Sequence, residues 1–169
     1  PLIVNWPRRW KEAGARRAGA CSLVDVARTL VELGGGSAPT DWDGTSMLPW
    51  LDSDDTPWKD QAVVEYYSHP IASGYAMIRK GTFKYTYHTP ADEKHPAERE
   101  LYDLRSDPGE LSNLAKDPAH AGKVADLHAA LLAELKEHPD VTERRCRADG
   151  ARAKQAGATK KGKGKKRKT

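Results

Sequence analysis

The chain has 169 residues, room for one domain or one and a half, with 38% apolar and 31% charged residues, a balance poorer in apolar side chains than a typical globular domain. Charge is unevenly spread: from Arg144 to Thr169 twelve Lys and Arg face a single acid, Asp149, whereas residues 1–143 hold sixteen bases against twenty-three acids. The net charge of +4 thus belongs to the tail; no apolar run approaches the eighteen or so residues of a membrane-spanning helix, and two cysteines, Cys21 and Cys146, make no disulfide scaffold.

In chain order, Leu2-Ile3-Val4 comes first, a short apolar run of the kind that forms a buried strand. Such a strand needs hydrogen-bonded neighbours, and the next strand-like run lies about sixty residues on. The pattern therefore predicts that the chain is the C-terminal part of something longer. The run itself has no charged n-region or cleavage site and does not read as a signal peptide. After Trp6-Pro7 a polar, glycine-containing loop reaches Gly19. Ser22-Leu-Val-Asp25 then opens a helix, with Asp25 as capping partner of Ser22, and Leu23, Ala27, Leu30 and Val31 follow at helical spacing. Gly34-Gly35-Gly36 stops it, because glycine tolerates the left-handed conformation past a helix end. These glycines follow a helix rather than precede one, so they are no phosphate cradle.

Asp41-Trp42-Asp43-Gly44 is turn chemistry, Ser46 to Leu51 a short apolar segment, and Ser53 to Pro57 a hinge. Beyond it the period changes to two. Strands are predicted at Ala62–Tyr67, Tyr75–Arg79, Phe83–Tyr87 and Glu100–Leu104, the middle pair forming a hairpin around Lys80-Gly81-Thr82. A helix from Ala119 to about Glu137, with Val124, Leu127, Leu131 and Leu135 as its apolar stripe, should cover one face of this four-stranded antiparallel sheet. His138-Pro139 ends it. Residues 140–169 hold almost no large apolar side chain and are expected to be a disordered basic tail.

Catalytic chemistry is hard to find. No serine sits in a Gly-x-Ser-x-Gly elbow, neither cysteine has a Cys-x-x-Cys partner, and the six histidines show no His-x-His or His-Glu-x-x-His spacing. The Asp41/Asp43 and Asp52/Asp54/Asp55 groups read as turn formers, without an EF-hand pattern. Two histidines lie at loop junctions where a rigid sheet could aim them into a cleft: His69, after the first strand, and His88, closing the hairpin. His95, His120, His128 and His138 read as solvent-facing. The tail from Lys160 to Lys168 would attract polyanions nonspecifically, without aromatics to stack on bases.

Several segments together resemble the sulfatases of the alkaline-phosphatase-like superfamily. Pro1-Leu-Ile-Val-Asn-Trp-Pro7 is similar to their Val-Pro-x-Ile-x-x-Trp-Pro-Gly strand, and Ser22 to Gly34 to their Ser-x-x-Asp-x-x-Pro-Thr-Leu helix, with Arg28 in place of the proline. Asp43-Gly-Thr-Ser-Met-Leu-Pro49, the hairpin Met77 to Tyr85, and Glu100-Leu-Tyr-Asp-Leu to Ala115 resemble three further elements in the family's order. The resemblance covers roughly residues 1–137 and implies an α/β fold, α+β within this stretch. Residues 1–52 would be the last strand and helix of the large domain, residues 53–139 a C-terminal subdomain with its covering helix, and 140–169 the tail. It implies hydrolysis of sulfate esters or sulfamates by a hydrated formylglycine made from a Cys/Ser-x-Pro-x-Arg signature, with calcium polarising the sulfate. Cys21 and Cys146 lack that signature, so no catalytic residue and no metal ligand is assigned here. The implied partners are an upstream catalytic portion and a sulfated small molecule or glycan, with His69 and His88 as substrate contacts. A phosphodiesterase or phosphonate hydrolase shares the scaffold. A noncatalytic binding module with an aromatic hairpin and a polyanion anchor is the reading from another class.

Overall fold

The computed structural model describes residues 2–10, 14–53, 55–67 and 71–165, with side chains as far as residue 154. The chain divides into two compact units, Pro1–Ala62 and Val63–Thr169.

The first unit contains helix α1 (Leu23–Leu33) and the short helix α2 (Leu48–Asp52). Helix α1 begins as its sequence predicts: the Asp25 carboxylate reaches back to accept the Ser22 N–H at 2.8 Å and the Ser22 hydroxyl at 3.1 Å. It ends at the glycines, where Gly35 adopts φ +78°. The apolar side marked by Leu23, Ala27 and Leu30 is not the side the helix buries. Asp25 and Thr29 are buried, while Leu23, Val24 and Leu30 are exposed, Leu23 at 84%. The polar side wins the interior because its groups find partners there. The Thr29 hydroxyl donates to the Asp25 carbonyl at 2.6 Å and accepts the Met47 N–H at 2.9 Å. Residues 44–47 can lie this close only because Gly44 has no side chain: a Cβ there would fall 2.1 Å from the Val24 carbonyl oxygen.

The apolar interior of this unit is small. Pro49 sits in the first turn of α2, where its missing N–H costs nothing, and Trp50 turns inward to stack on Trp58 at 4.6 Å between ring centroids. The Trp58 indole N–H donates to the Ala20 carbonyl at 2.6 Å. The expected strand at Leu2–Val4 is not formed: all three side chains are exposed, Ile3 at 87%. Among the described residues no strand pairs with it, and a single extended segment without a ladder has nothing to hold it as a strand.

The second unit carries the sheet. Strands β1 (Gln61–Tyr66), β2 (Tyr75–Lys80), β3 (Phe83–His88) and β4 (Glu98–Asp103) lie in that order, the four-stranded antiparallel arrangement that the alternation predicts. The β2–β3 hairpin is one residue tighter than expected: Lys80 pairs with Phe83, leaving Gly81-Thr82 as the loop, with Gly81 at φ +57°. The register sets Ala76 against Tyr87, and Ile78 against Tyr85, which in turn faces Leu101. This row forms one face.

Helix α3 (Ala121–Glu134) covers that face with Val124, Leu127 and Leu131, the predicted stripe. It is entered through a 3-10 turn, Pro118–His120, capped by Asp117, whose carboxylate accepts the Ala119 N–H. Each of these buried side chains contributes on the order of 1.5–3 kcal/mol.

The tail corrects the sequence reading. Instead of disorder from residue 140, a helix α4 runs over Pro139–Lys165. Helix α3 stops at Glu134, where Leu135 turns extended, short of the expected end near Glu137, and Pro139 instead sits in the first turn of the new helix. The start of α4 is fastened to the unit: Pro139 and Glu143 are buried, and the Tyr87 hydroxyl donates to Asp140 at 3.0 Å. Arg145 pairs with Glu137 at 2.7 Å, and Arg147 bonds both Glu143 and the Ala72 carbonyl. The packed body thus extends past 139 to at least Arg147, because polar anchors do what apolar side chains were expected to do. Among the described residues no helix is long and apolar enough to cross a membrane.

Candidate functional site

Alternation along the strands decides which side chains leave the core. With Ala76, Ile78, Tyr85, Tyr87 and Leu101 under α3, the other face of β2 to β4 receives Tyr75, Met77, Arg79, Lys84, Thr86, His88, Glu98, Glu100 and Tyr102. At one end of that face the groups form a row. The rings of Tyr66 and Tyr75 are 5.8 Å apart, those of Tyr75 and His88 5.9 Å, and His88 Nε2 lies 3.2 Å from Glu100 Oε1. Tyr75 is the direct cross-strand partner of His88, whereas Glu100 is its diagonal neighbour, one pair beyond Glu98. The His88 side chain keeps 31% of its surface exposed, so the row is fixed but reachable. At the other end Lys84 is held by Glu110 at 2.5 Å, and Arg79 buries an Nε without an acceptor.

Of the two histidines singled out in the sequence, His88 thus stands in this row. His69 lies outside the described residues. Sequence reading did not find Tyr75 or Glu100. Both become visible once the hairpin register is fixed, since register alone determines what faces His88.

The remaining histidines are not uniformly solvent-facing. His95 and His120 pair locally with Asp92 and Asp117. His128, by contrast, is half-buried beneath the sheet, its Nδ1 3.0 Å from the Tyr85 hydroxyl. Tyr87 packs against both His128 and His138. Burial pushes the Tyr85 and Tyr87 hydroxyls up to about 12. Burial also lowers the His128 pKa, reinforced by the positive charges of Arg99 and His138. These groups tie β3 to α3 and α4.

In the first unit the most constrained polar group is Asp25. Beyond Ser22, its carboxylate accepts the Thr45 N–H at 2.8 Å and the Lys59 ammonium at 2.7 Å. Burial would raise its pKa, but the hydrogen bonds from Lys59, Thr45 and Ser22 outweigh it and hold the group below the usual carboxylate range. All its oxygens are occupied, so Asp25 is a structural hub. Nearby, Arg9 forks onto Asp52 at 2.9 and 2.5 Å and Trp10 adds an indole N–H at 2.8 Å. This pair borders a cavity of about 610 Å³ that Ile3, Val4 and Trp6 also line.

Chemically, the His88 row sets two tyrosine faces beside an imidazole and a carboxylate, an apolar surface next to hydrogen-bonding groups. It offers no nucleophile. Among the described residues no three His, Cys, Asp or Glu side chains gather to hold a metal ion, and Cys21 and Cys146 form no disulfide. The residues present do not fit a calcium centre or a formylglycine.

The chain is 30% identical to an N-acetylglucosamine-6-O-sulfatase of Bacteroides thetaiotaomicron, over 83% of this chain and 25% of the relative. It is 28% identical to a protein solved in complex with its substrate D-glucosamine-2-N,6-O-disulfate, with a TM-score of 0.59 over 69% of this chain and 25% of the other. A phosphonate monoester hydrolase of Agrobacterium radiobacter is also similar, 28% identical with a TM-score of 0.53, covering 65% and 24% of the two chains. The chain therefore spans about a quarter of the length of these relatives. The profile of the family described as "N-sulphoglucosamine sulphohydrolase, C-terminal" matches residues 1–138. On that match the chain belongs to this family, the C-terminal portion of the sulfatases in the alkaline-phosphatase-like superfamily.

Proposed function

We propose that this chain serves as the cleft-shaping C-terminal part of an enzyme that hydrolyses a sulfate ester or sulfamate on a sugar. Residues 1–52 complete the large α/β domain, residues 53–139 form the C-terminal subdomain, and the nucleophile and any metal come from the upstream catalytic portion. The observation that carries this reading is the open row Tyr66, Tyr75, His88 and Glu100 on a sheet whose other face is sealed by α3. Relatives that act on sulfated glucosamine support a sulfated sugar as the occupant. His88 contacts the substrate, held in orientation by Glu100. In the full-length enzyme, His88→Ala should raise KM more than it lowers kcat; equal loss in both would defeat the substrate-contact role. The 169-residue chain alone should not hydrolyse an aryl sulfate, and turnover by a purified sample would refute the assignment of chemistry to the upstream portion.

A second reading is favoured by the phosphonate monoester hydrolase relative: the same scaffold acting on a phosphonate or phosphodiester. Steady-state kinetics of the full-length enzyme on matched aryl sulfate and aryl phosphonate esters separates the two, the larger kcat/KM naming the reaction.

A further inference from the structure

We propose that helix α4 is a capture arm for a sulfated polysaccharide, rooted at the end of the sheet that carries His88. The inference rests on the sulfated-sugar reading above.

Placement comes first. The root of α4 is clasped to the segment that leads into β2: Arg147 donates to the Ala72 carbonyl, and Glu143 packs against Gly74, where a Cβ would fall 2.2 Å from its Oε2. Gly74 immediately precedes Tyr75, and its carbonyl accepts the N–H of Thr89, the residue after His88. The root therefore sits at the same strand ends that present Tyr75 and His88.

Charge comes second. Between Arg144 and Lys165 nine Lys and Arg stand against one acid, Asp149, and residues 151–154 are exposed. Asp149 is itself matched by Arg152 at 3.6 Å. Arg145 and Arg147 are likewise matched by Glu137 and Glu143, but no acid follows Asp149 in the sequence, and the lysines at 160, 161, 163 and 165 attract a polyanion by release of its counterions.

Composition narrows the class of polyanion. Tyr102 is the last aromatic residue of the chain, so the arm has no ring on which to stack a base. Val141 is its last large aliphatic residue, so it has no apolar face to insert into a bilayer. A linear sulfated glycan needs neither: its charges lie along the chain and are met by Lys and Arg alone. Such a polymer held by α4 would be delivered beside the His88 row.

The test uses the 169-residue chain and measures affinity for heparin, fully desulfated heparin, a duplex DNA of matched charge and anionic phosphatidylserine vesicles across a series of salt concentrations. The variant is K160Q/K161Q/K163Q/K165Q, with circular dichroism as the check on the fold. The proposal expects heparin to bind at least about tenfold tighter than the other three. It expects the variant to lower the slope of log K against log salt by about three, taking roughly 0.7 counterion per neutralised contact. Unchanged heparin binding in the variant would overturn it, as would DNA or vesicles bound as tightly as heparin. Because binding needs no turnover, failure of the arm is read from the heparin titration and failure of the sulfatase reading from the kinetics of the full-length enzyme, so the two are told apart.

Discussion

The two units obey opposite rules of burial. In Val63–Thr169 an apolar sheet face and the α3 stripe close on each other as a core. In Pro1–Ala62 the helix α1 points Asp25 and Thr29 inward and leaves Leu23, Val24 and Leu30 to solvent. A surface helix normally does the reverse. The difference teaches that the second unit closes an apolar core, whereas the first is held by polar stitches and leaves its apolar side exposed.

That contrast can be broken most severely at its two centres. Asp25→Ala leaves Lys59 without its carboxylate and three further donors without an acceptor, and should cost about 3–5 kcal/mol in the first unit. The depressed pKa of Asp25 adds a pH signature: its contribution is complete above its unfolded value and is lost as pH falls through the lower folded value, below about 4. Leu131→Ala should cost about 2–5 kcal/mol by opening a cavity beneath the sheet. Residue-resolved hydrogen exchange during denaturant titration would show whether each loss stays within its own unit.

A smaller effect concerns His128. Its folded pKa is lowered, so the native state resists a proton that the unfolded chain accepts near pH 6.5. Stability should therefore fall as pH drops through about 6.5, and His128→Gln should flatten that part of the urea-midpoint profile. An identical profile in the variant would show that the Tyr85–His128 contact does not set it. Smallest of all, Leu23→Ser with Leu30→Ser should change the stability of this chain by less than about 0.5 kcal/mol, as expected for surface positions. A loss of several kcal/mol would mean that this side is already packed.

Much of the second unit was legible in the sequence because period and function of the residues coincide there. Phe83, Tyr85 and Tyr87 alternate with polar neighbours, and Val124, Leu127 and Leu131 keep helical spacing, so both faces of the interface announce themselves. Helix α4 was not legible, since its anchors are a buried Glu143, a tyrosine hydroxyl and a backbone carbonyl, none of which leaves a periodic trace. The orientation of α1 was hidden for a related reason: its partners Thr45, Met47 and Lys59 lie up to 34 residues from Asp25. Of the His88 row, the histidine could be named from its place at a strand end, but Tyr75 and Glu100 required the register.

The account stands most directly on backbone hydrogen exchange of residues 2–6 and of α1, compared between this chain alone and a polypeptide in which a catalytic portion precedes it. It predicts that these amides gain at least about tenfold protection in the longer polypeptide while β2, β3 and α3 stay as they are. Equal protection of α1 in both would contradict it.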